Sequence, residues 1–350
     1  MIDSKPHYPL TMRILIELYN NGELPTVRQV LIEPRYGYVA RLVYADGGIR
    51  MLRRTNVGIN NHGACEISSD KGYTKFFLQH LGYNVPRGTV FLMKKYRDLI
   101  DSNLSRYGFS DYNEAHQMLD YIEHELGFPV FIKPNEESQG KGVYKCYDAR
   151  DVSAAHLAAV ERGEDKLLVE EAVPYPDYRV VVLDGEMICA YQRVPLRVVG
   201  DGQHSIRDLL FARQQMFNTQ GREVTINLND ARLRRVLKRH GYALDDVLGV
   251  GIELAVMDIS NLSAGGDAQD VSTIIHPHWR DLCIRLTQEM GLRFCGVDLA
   301  CADITDSTSA YSIIETNASP GLDHYAALHP DHLKVVRAMY QRIFLTSPLA

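Results

Sequence analysis

Three oxygen-bearing residues near the C-terminal end could hold a hard cation. Asp298 lies inside the apolar run Phe294-Cys295-Gly296-Val297-Asp298-Leu299-Ala300, Glu315 ends a second strand-like run, and Asn317 follows two residues later. A carboxylate inside an apolar strand costs several kcal/mol, to order of magnitude, if it is desolvated without a partner. Alternate residues of an extended chain point to one side, so Glu315 and Asn317 present oxygens to a common point. If the two strands pair, Asp298 joins them. Two carboxylates and an amide oxygen suit magnesium, which also takes phosphate oxygens. Any one of the three reads equally well as a strand-end polar residue; the three together favour a metal.

A second constellation is Lys133 followed by the loop Asn135-Glu136-Glu137-Ser138-Gln139-Gly140-Lys141-Gly142. Glycines and small polar residues can aim backbone N–H groups at phosphates, and Lys133 adds a point charge. The loop runs into a strand and contains no GxxxxGK[ST], so it is not a Walker A loop. Its candidate phosphate contacts are Ser138, Gln139, Gly140 and Gly142. The apolar run Leu167 to Val173 carries Glu170, Glu171, Ala172 and Val173, which could line an adenine pocket, with Asp177 in reach of ribose hydroxyls. An exposed acidic strand end explains those residues equally well. Arg179 and Arg193 flank an Asp184-Gly185 turn, and arginine suits planar carboxylates and phosphates. The small-residue stretch Asn261 to Gly266, including Ser263, reads as a loop able to approach a ligand or as a plain connection. The basic run with Arg232, Arg234, Arg235, Lys238 and Arg239 reads as a solvated helix face, or as an attractor for an acidic substrate.

Elements that would position these groups alternate between strand and helix, an α+β or α/β pattern. Helices are expected over Met12 to Asn20, over the stretch after Ser69 or Asp70 ending at Gly82, over Tyr112 to Gly127, Asp151 to Arg162, Ala231 to His240 and Pro277 to Met290, and near the C-terminus. Strands are expected at Tyr38 to Tyr44, Phe128 to Pro134, Val143 to Tyr147 and Leu167 to Val173. A hairpin is expected through Asp184-Gly185, and two strands around Asp298 and Glu315. The chain has 350 residues, a formal charge of −6 and six cysteines without CxxC spacing. The cysteines read as small reduced hydrophobes. Nothing demands nucleic acid or a membrane: no apolar run reaches the ~18 residues of a spanning helix. No signal peptide is evident at the N-terminus, which makes a cytoplasmic protein the expectation.

Five segments, in order, resemble the ATP-grasp superfamily, in particular the ATP-grasp module of cyanophycin synthetase and the related bifunctional glutathione synthetases: SSDKGYTKFFLQHLGYNVPRG, FPVFIKPNEESQGKGV, LLVEEAVPYPDYRVVVLDGEMICAYQRVPLRVVGDGQHSIRDLL, NLSAGGDAQDVS, and CGVDLACADI with YSIIETNASPGL. The resemblance implies an α+β ATP-grasp fold. Its parts are an N-terminal lobe of unclear identity (1–66), the start of the ATP-grasp region (67–110), a lid subdomain (111–173) and a C-terminal subdomain (174–350). It implies a ligase that joins a carboxylate to an amine through an acylphosphate, with amino-acid or peptide-like substrates. Lys71 and Lys133 would contact ATP phosphates, and Glu170 to Val173 would line the adenine pocket. Asn261 and Ser263 would lie beside the nucleotide, and Asp177 would hold ribose. Arg179 and Arg193 would lie near the transferred phosphate, and Asp298, Glu315 and Asn317 would hold Mg2+, two ions being usual and Mn2+ an alternative. A protein or thiol acceptor, or a non-catalytic nucleotide-binding module, are the rival readings. A homodimer is compatible with all of them. The first 65 residues match no familiar pattern. The sequence ends at Ala350 without the Mur-ligase-like module of cyanophycin synthetase, so one kind of ligation is expected.

Overall fold

The computed structural model describes residues 2–93, 115–137, 140–222 and 224–349. Its N-terminal lobe comprises α1 (Leu10–Asn20) and the antiparallel strands β1 (Val27–Ile32), β2 (Val39–Tyr44) and β3 (Ile49–Arg53), in the order β1-β2-β3. The inner face of this sheet contributes Val30, Ile32, Ala40, Leu42 and Leu52 to a core shared with α1 and with the last helix. Two further helices follow, α2 (His62–Ser69) and α3 (Lys71–His80). The Asp70 carboxylate starts α3 by accepting the Tyr73 amide at 2.9 Å, satisfying a donor the helix cannot.

Next comes a four-stranded sheet in the order β4-β7-β5-β6, built from β4 (Gly88–Leu92), β5 (Val130–Pro134), β6 (Tyr144–Cys146) and β7 (Lys166–Glu171). One face packs on α4 (Ala115–Tyr121) and α5 (Ala149–Arg162) through Val130, Ile132, Cys146, Leu167 and Val169. The other face carries Phe131, Lys133, Leu168 and Glu170, because alternate residues point oppositely. The lid expected over 111–173 therefore also takes in β4, from earlier in the chain. Of the helix expected over Tyr112 to Gly127, the first three residues fall outside the described residues.

A five-stranded antiparallel sheet, in the order β12-β9-β8-β13-β14, forms the C-terminal part. Its strands are β8 (Asp177–Leu183), β9 (Glu186–Val194), β12 (Asp267–Asp270), β13 (Phe294–Cys301) and β14 (Tyr311–Asn317). The hairpin β8-β9 turns at Asp184 and Gly185, both with positive φ, as the expected two-residue turn requires. One face of this sheet packs on α8 (Pro277–Glu289) through Val180, Val182, Cys295, Val297 and Leu299. The opposite face meets the N-terminal lobe at Val181, Leu183, Cys189 and Phe294. The chain closes with α9 (Asp323–Ala326) and α10 (Pro330–Leu345).

Between β9 and β12 an insertion builds a core of its own, so the expected unit 174–350 contains two. The insertion holds the hairpin β10 (Arg197–Val199) and β11 (Glu253–Ala255), with α6 (Ile206–Thr219) and α7 (Ala231–Arg239). Leu210, Phe217, Leu233, Leu237 and Leu254 meet inside it. A capping box between Ser205 and Asp208 starts α6. The cysteines are all free, and five of the six are buried. Among the described residues no helix is long and apolar enough to cross a membrane.

Candidate active site

The three candidate metal ligands meet because of strand register. β13 pairs with β14 so that Asp298 faces Glu315 and Gly296 faces Asn317. On its other side β13 pairs with β8, which sets Asp298 beside Arg179. Directly paired residues share a sheet face, so Glu315, Asp298 and Arg179 form a row across three strands. Arg193 joins from the neighbouring row, where it pairs with Asp177. Gly296 is needed at its position: a Cβ there would come within 2.9 Å of the Arg179 side chain and of Pro320.

Asp298 is fully buried and doubly held. Arg179 donates to it through Nε and, at 3.0 Å, through Nη2, and Arg193 Nη2 donates at 2.7 Å. The same Arg193 nitrogen donates to Asp177 at 2.7 Å. Glu315 is partly exposed, accepts from the Asn317 amide at 3.1 Å, and lies 3.9 Å from the Lys71 ammonium. Burial, with the charge of Glu315 opposite, pushes the Asp298 carboxyl up to about 6 against the pull of both guanidiniums. Burial also opposes ionisation of Glu315, but Lys71, Arg179 and Lys133 outweigh it and hold that carboxyl at about 2.

The four-stranded sheet supplies the opposite charge. Glu170, only 1% exposed, accepts a short hydrogen bond from Lys133 and lies 3.2 Å from the Lys75 ammonium. Burial works against the charge of Lys133, but Glu170, followed by Glu315 and Asp177, keeps it ionised. Burial wins at Lys75 and lowers its pKa in spite of Glu170. One carboxylate thus serves two buried ammonium groups, leaving a positive surplus in low dielectric. Beside this cluster a cavity of about 530 Å³ opens between α3 and the β4–β7 edge, lined by Tyr73, Phe76, Val90 and Leu168 as well as Lys75 and Lys166.

Lys71 ties the parts together. Its ammonium donates to the Glu137 carbonyl at 2.6 Å while facing Glu315, and the Asn135 side chain accepts the Gly72 amide at 3.0 Å. The start of the glycine loop, α3 and the acidic row therefore share one corner.

Several expectations change. The Glu170 carboxylate, expected beside an adenine, is committed to Lys133 and Lys75. Glu171 is paired with Arg87, and the Ala172 amide is taken by the Pro129 carbonyl. Asp177 keeps one carboxylate oxygen outside its bond to Arg193. Asn261 and Ser263 bond to each other at 3.3 Å, and Asn261 packs near Gly140. Ser138 and Gln139 lie outside the described residues; Gly140 and Gly142 both have the positive φ of a tight loop.

The basic run on α7 divides: Arg234 and Lys238 are exposed, as on a solvated face, while Arg232, Arg235 and Arg239 are engaged by the fold. Arg232, held by Asp230 at 2.7 Å, donates to the carbonyls of Gly140 at 2.9 Å and Val143 at 3.5 Å. Arg235 lies 3.6 Å from Asp151, and Arg239 pairs with Asp258 and covers the Tyr147 ring. Helix α7 is thereby fastened to the four-stranded sheet and its loop. One contributor, Lys75, went unseen in the sequence, and the tie of Arg232 to the glycine loop was not visible there. Lys75 is one turn beyond Lys71 on α3, a spacing that puts both on one side of the helix. Arg232 has no local signal, since its acceptors are distant carbonyls.

Two opposed sheets, one with buried lysines and a glycine loop and the other with paired acids, define an ATP-grasp architecture. The chain belongs to the ATP-grasp superfamily. The family described as D-ala D-ala ligase C-terminus matches residues 105–204, and the RimK-like ATP-grasp domain matches residues 256–331. Cyanophycin synthetase of Synechocystis is 31% identical over 272 residues, covering 75% of this chain and 28% of the relative. The glutathione biosynthesis bifunctional protein GshAB of Streptococcus mutans is 29% identical over 271 residues, covering 73% of this chain and 32% of the relative. The chain therefore spans about a third or less of the length of these relatives. A bifunctional glutathione synthetase from Pasteurella multocida superposes with a TM-score of 0.58 at 22% identity, over 96% of this chain and 45% of that one, a likeness of fold.

Proposed function

We propose that this protein is an ATP-dependent ligase that joins a carboxylate to an amine, with small amino-acid or peptide-like substrates. The observation that carries the reading is the charge arrangement: a buried positive surplus at Lys75 and Lys133, with the field of Lys133 reaching Glu315 and Asp177 on the acidic side. Such a surplus is costly unless an anion completes it, and a polyphosphate beside a divalent cation answers both halves.

In this reading Lys133, Lys75 and Lys71 hold the phosphates, and the loop ending at Gly140 and Gly142 covers them. Glu315, Asp298 and Asn317 fit a magnesium ion. Glu315 is partly exposed with lone pairs to spare, the Asn317 side-chain oxygen accepts no hydrogen bond among the described residues, and Asp298 can share a second lone pair while it accepts from the arginines. When bound, magnesium neutralises phosphate charge at that corner; manganese would suit the same donors. A substrate carboxylate oxygen attacks the γ-phosphorus, the bond to the β–γ bridging oxygen breaks, and ADP leaves. The amine then attacks the acyl carbon, loses a proton, and expels phosphate to leave an amide. Arg179 and Arg193, fixed by Asp298 and Asp177, stabilise negative charge on the transferring group without needing to reorient.

The test is ADP release across pairs of amino acids and dipeptides, with product mass measured. Release that needs both a carboxylate and an amine, with a product lighter by one water than their sum, supports the proposal. ATP binding without turnover across the panel would instead favour a nucleotide-binding module, and a modified protein or thiol would name a different acceptor.

A further inference from the structure

The outer face of the N-terminal sheet departs from what a solvated antiparallel sheet shows. Such sheets place apolar side chains inward and polar ones outward. Here the inner face is apolar and is sealed further by Arg50, whose guanidinium donates to the Thr346 carbonyl at 2.8 Å. Yet the outer face also exposes large apolar side chains, among the polar Gln29, Arg41 and Arg53. Leu31 is 61% exposed, Met51 62%, Ile49 51% and Val39 41%. Pairing registers align them: Leu31 faces Arg41, which faces Met51, and Val43 faces Ile49. Large apolar side chains grouped this way on an exposed face mark an interaction site.

Charge identifies the class of partner. Over most of the molecule arginines are paired with carboxylates, as in Arg87 with Glu171, Arg293 with Asp184 and Arg337 with Glu17. On and around this face Arg28, Arg35, Arg41, Arg53 and Arg54 have no carboxylate within ion-pair distance among the described residues. Arg54 is one of two described non-glycine residues with positive φ, at 52°, and its guanidinium lies 4.3 Å from the centre of the Tyr38 ring. That backbone region is disfavoured for arginine, yet the fold holds Arg54 there at the rim of the patch.

We infer that this face docks an acidic polypeptide segment that also carries apolar side chains. Carboxylates would pair with Arg41, Arg53 and Arg54, and apolar side chains would cover Leu31, Ile49 and Met51. A second copy fits poorly, because two-fold stacking would bury Arg41 against the same row of its twin with no acid between them. A bilayer fits poorly too: Arg41 sits between Leu31 and Met51 in the middle of the patch, whereas membrane-facing arginines lie at the rim, where they reach water. Nucleic-acid surfaces interleave cations with stacking aromatics; here Tyr36 and Tyr38 are already covered by Arg35 and Arg54 at the rim, and the side chains around the central Arg41 are aliphatic.

A fluorescent peptide of alternating glutamate and leucine, about eight residues long to span a sheet face, is titrated into the full chain and followed by anisotropy. Binding is expected, weakening by about tenfold or more in Arg41→Glu and in Met51→Glu, as central interface positions do, with no binding of a lysine–leucine counterpart. Both positions face outward, so the unfolding temperature stays near that of the parent. ATP-dependent ADP release is measured on the same variants and is expected to be unchanged, which separates failure of this inference from failure of the ligase reading. No peptide binding, equal binding by the variants, or equal binding of the lysine peptide overturns the inference. So does a dimer in light scattering that Met51→Glu dissociates, or flotation with phosphatidylserine vesicles or retention on single-stranded DNA that Arg41→Glu abolishes while peptide binding persists.

Discussion

Replacing Glu170 with glutamine tests the charge cluster most directly. The side chain is 1% exposed, with Lys133 hydrogen-bonded to one oxygen and the Lys75 ammonium 3.2 Å from the other. Glutamine preserves shape and removes only the charge. Breaking a buried ion pair from one side costs about 3–5 kcal/mol. Here two ammonium groups lose their counter-ion and also repel each other, which argues for the upper part of that range. The loss is limited because one lysine can give up its proton, and burial already depresses the pKa of Lys75. A destabilisation of about 3 kcal/mol at pH 7 is the balance of the two effects. With a urea m-value of about 2 kcal/mol/M, the midpoint falls by about 1.5 M. The sign with pH follows from linkage. A lysine whose folded pKa lies below its unfolded value binds fewer protons in the native state, so stability rises with pH through the window between the two values. The deficit of Glu170→Gln should therefore shrink as pH approaches 10 and be largest near neutrality. A midpoint within about 0.3 M of the parent at pH 7, or a deficit independent of pH, would refute the claim that one carboxylate balances two buried charges.

Other perturbations follow from the same geometry. Glu315→Gln should abolish ADP release while leaving the unfolding temperature within a few degrees, because its carboxylate is partly exposed. Asp298→Asn should lose ADP release and also about 2–4 kcal/mol of stability in chemical denaturation, since Arg179 and Arg193 lose a buried counter-charge. Arg232→Ala should raise the KM for ATP about tenfold, the worth of a charged donor on the loop carbonyls, with kcat reduced less and with partial rescue by added guanidinium. Equal KM values with and without the side chain would end that reading. At Asp70, burial opposes ionisation, but Lys166, Asn135 and the Tyr73 amide outweigh it and hold the carboxyl below its usual range. Its contribution, about 1–2 kcal/mol, should be fully present above pH 5 and vanish as pH falls below 4, which a pH series of parent against Asp70→Asn unfolding would show.

Much of the local framework is written in the order of residues. Short, nearly continuous apolar runs mark β5, β7, β8 and β13, and the Asp184-Gly185 dipeptide marks the turn between β8 and β9. Ser69-Asp70 ahead of an apolar helical run marks the start of α3, where Asp70 proves to be the cap. These signals are legible because backbone conformation answers to a residue and its near neighbours. The i, i+2 spacing of Glu315 and Asn317 even placed two candidate ligands on one side, and Asp298 joined them once β13 and β14 paired in register. The insertion core and its first helix α6 were not legible, because the apolar positions are scattered through polar sequence.

Charge partnership was a matter for the tertiary structure alone. Nothing near Glu170 in the chain says that its partners are Lys133 and Lys75, and Asp298 likewise takes its partners from Arg179 and Arg193 on two other strands. Arg232 is bound to a loop some ninety residues away in the chain, where the sequence suggested a solvated helix face. Coulomb energy depends on distance and on the dielectric between charges, and both are set by how strands and helices pack. The residue types specify which chemistry the chain can perform; packing decides which of those groups are neutralised internally and which retain charge for a ligand.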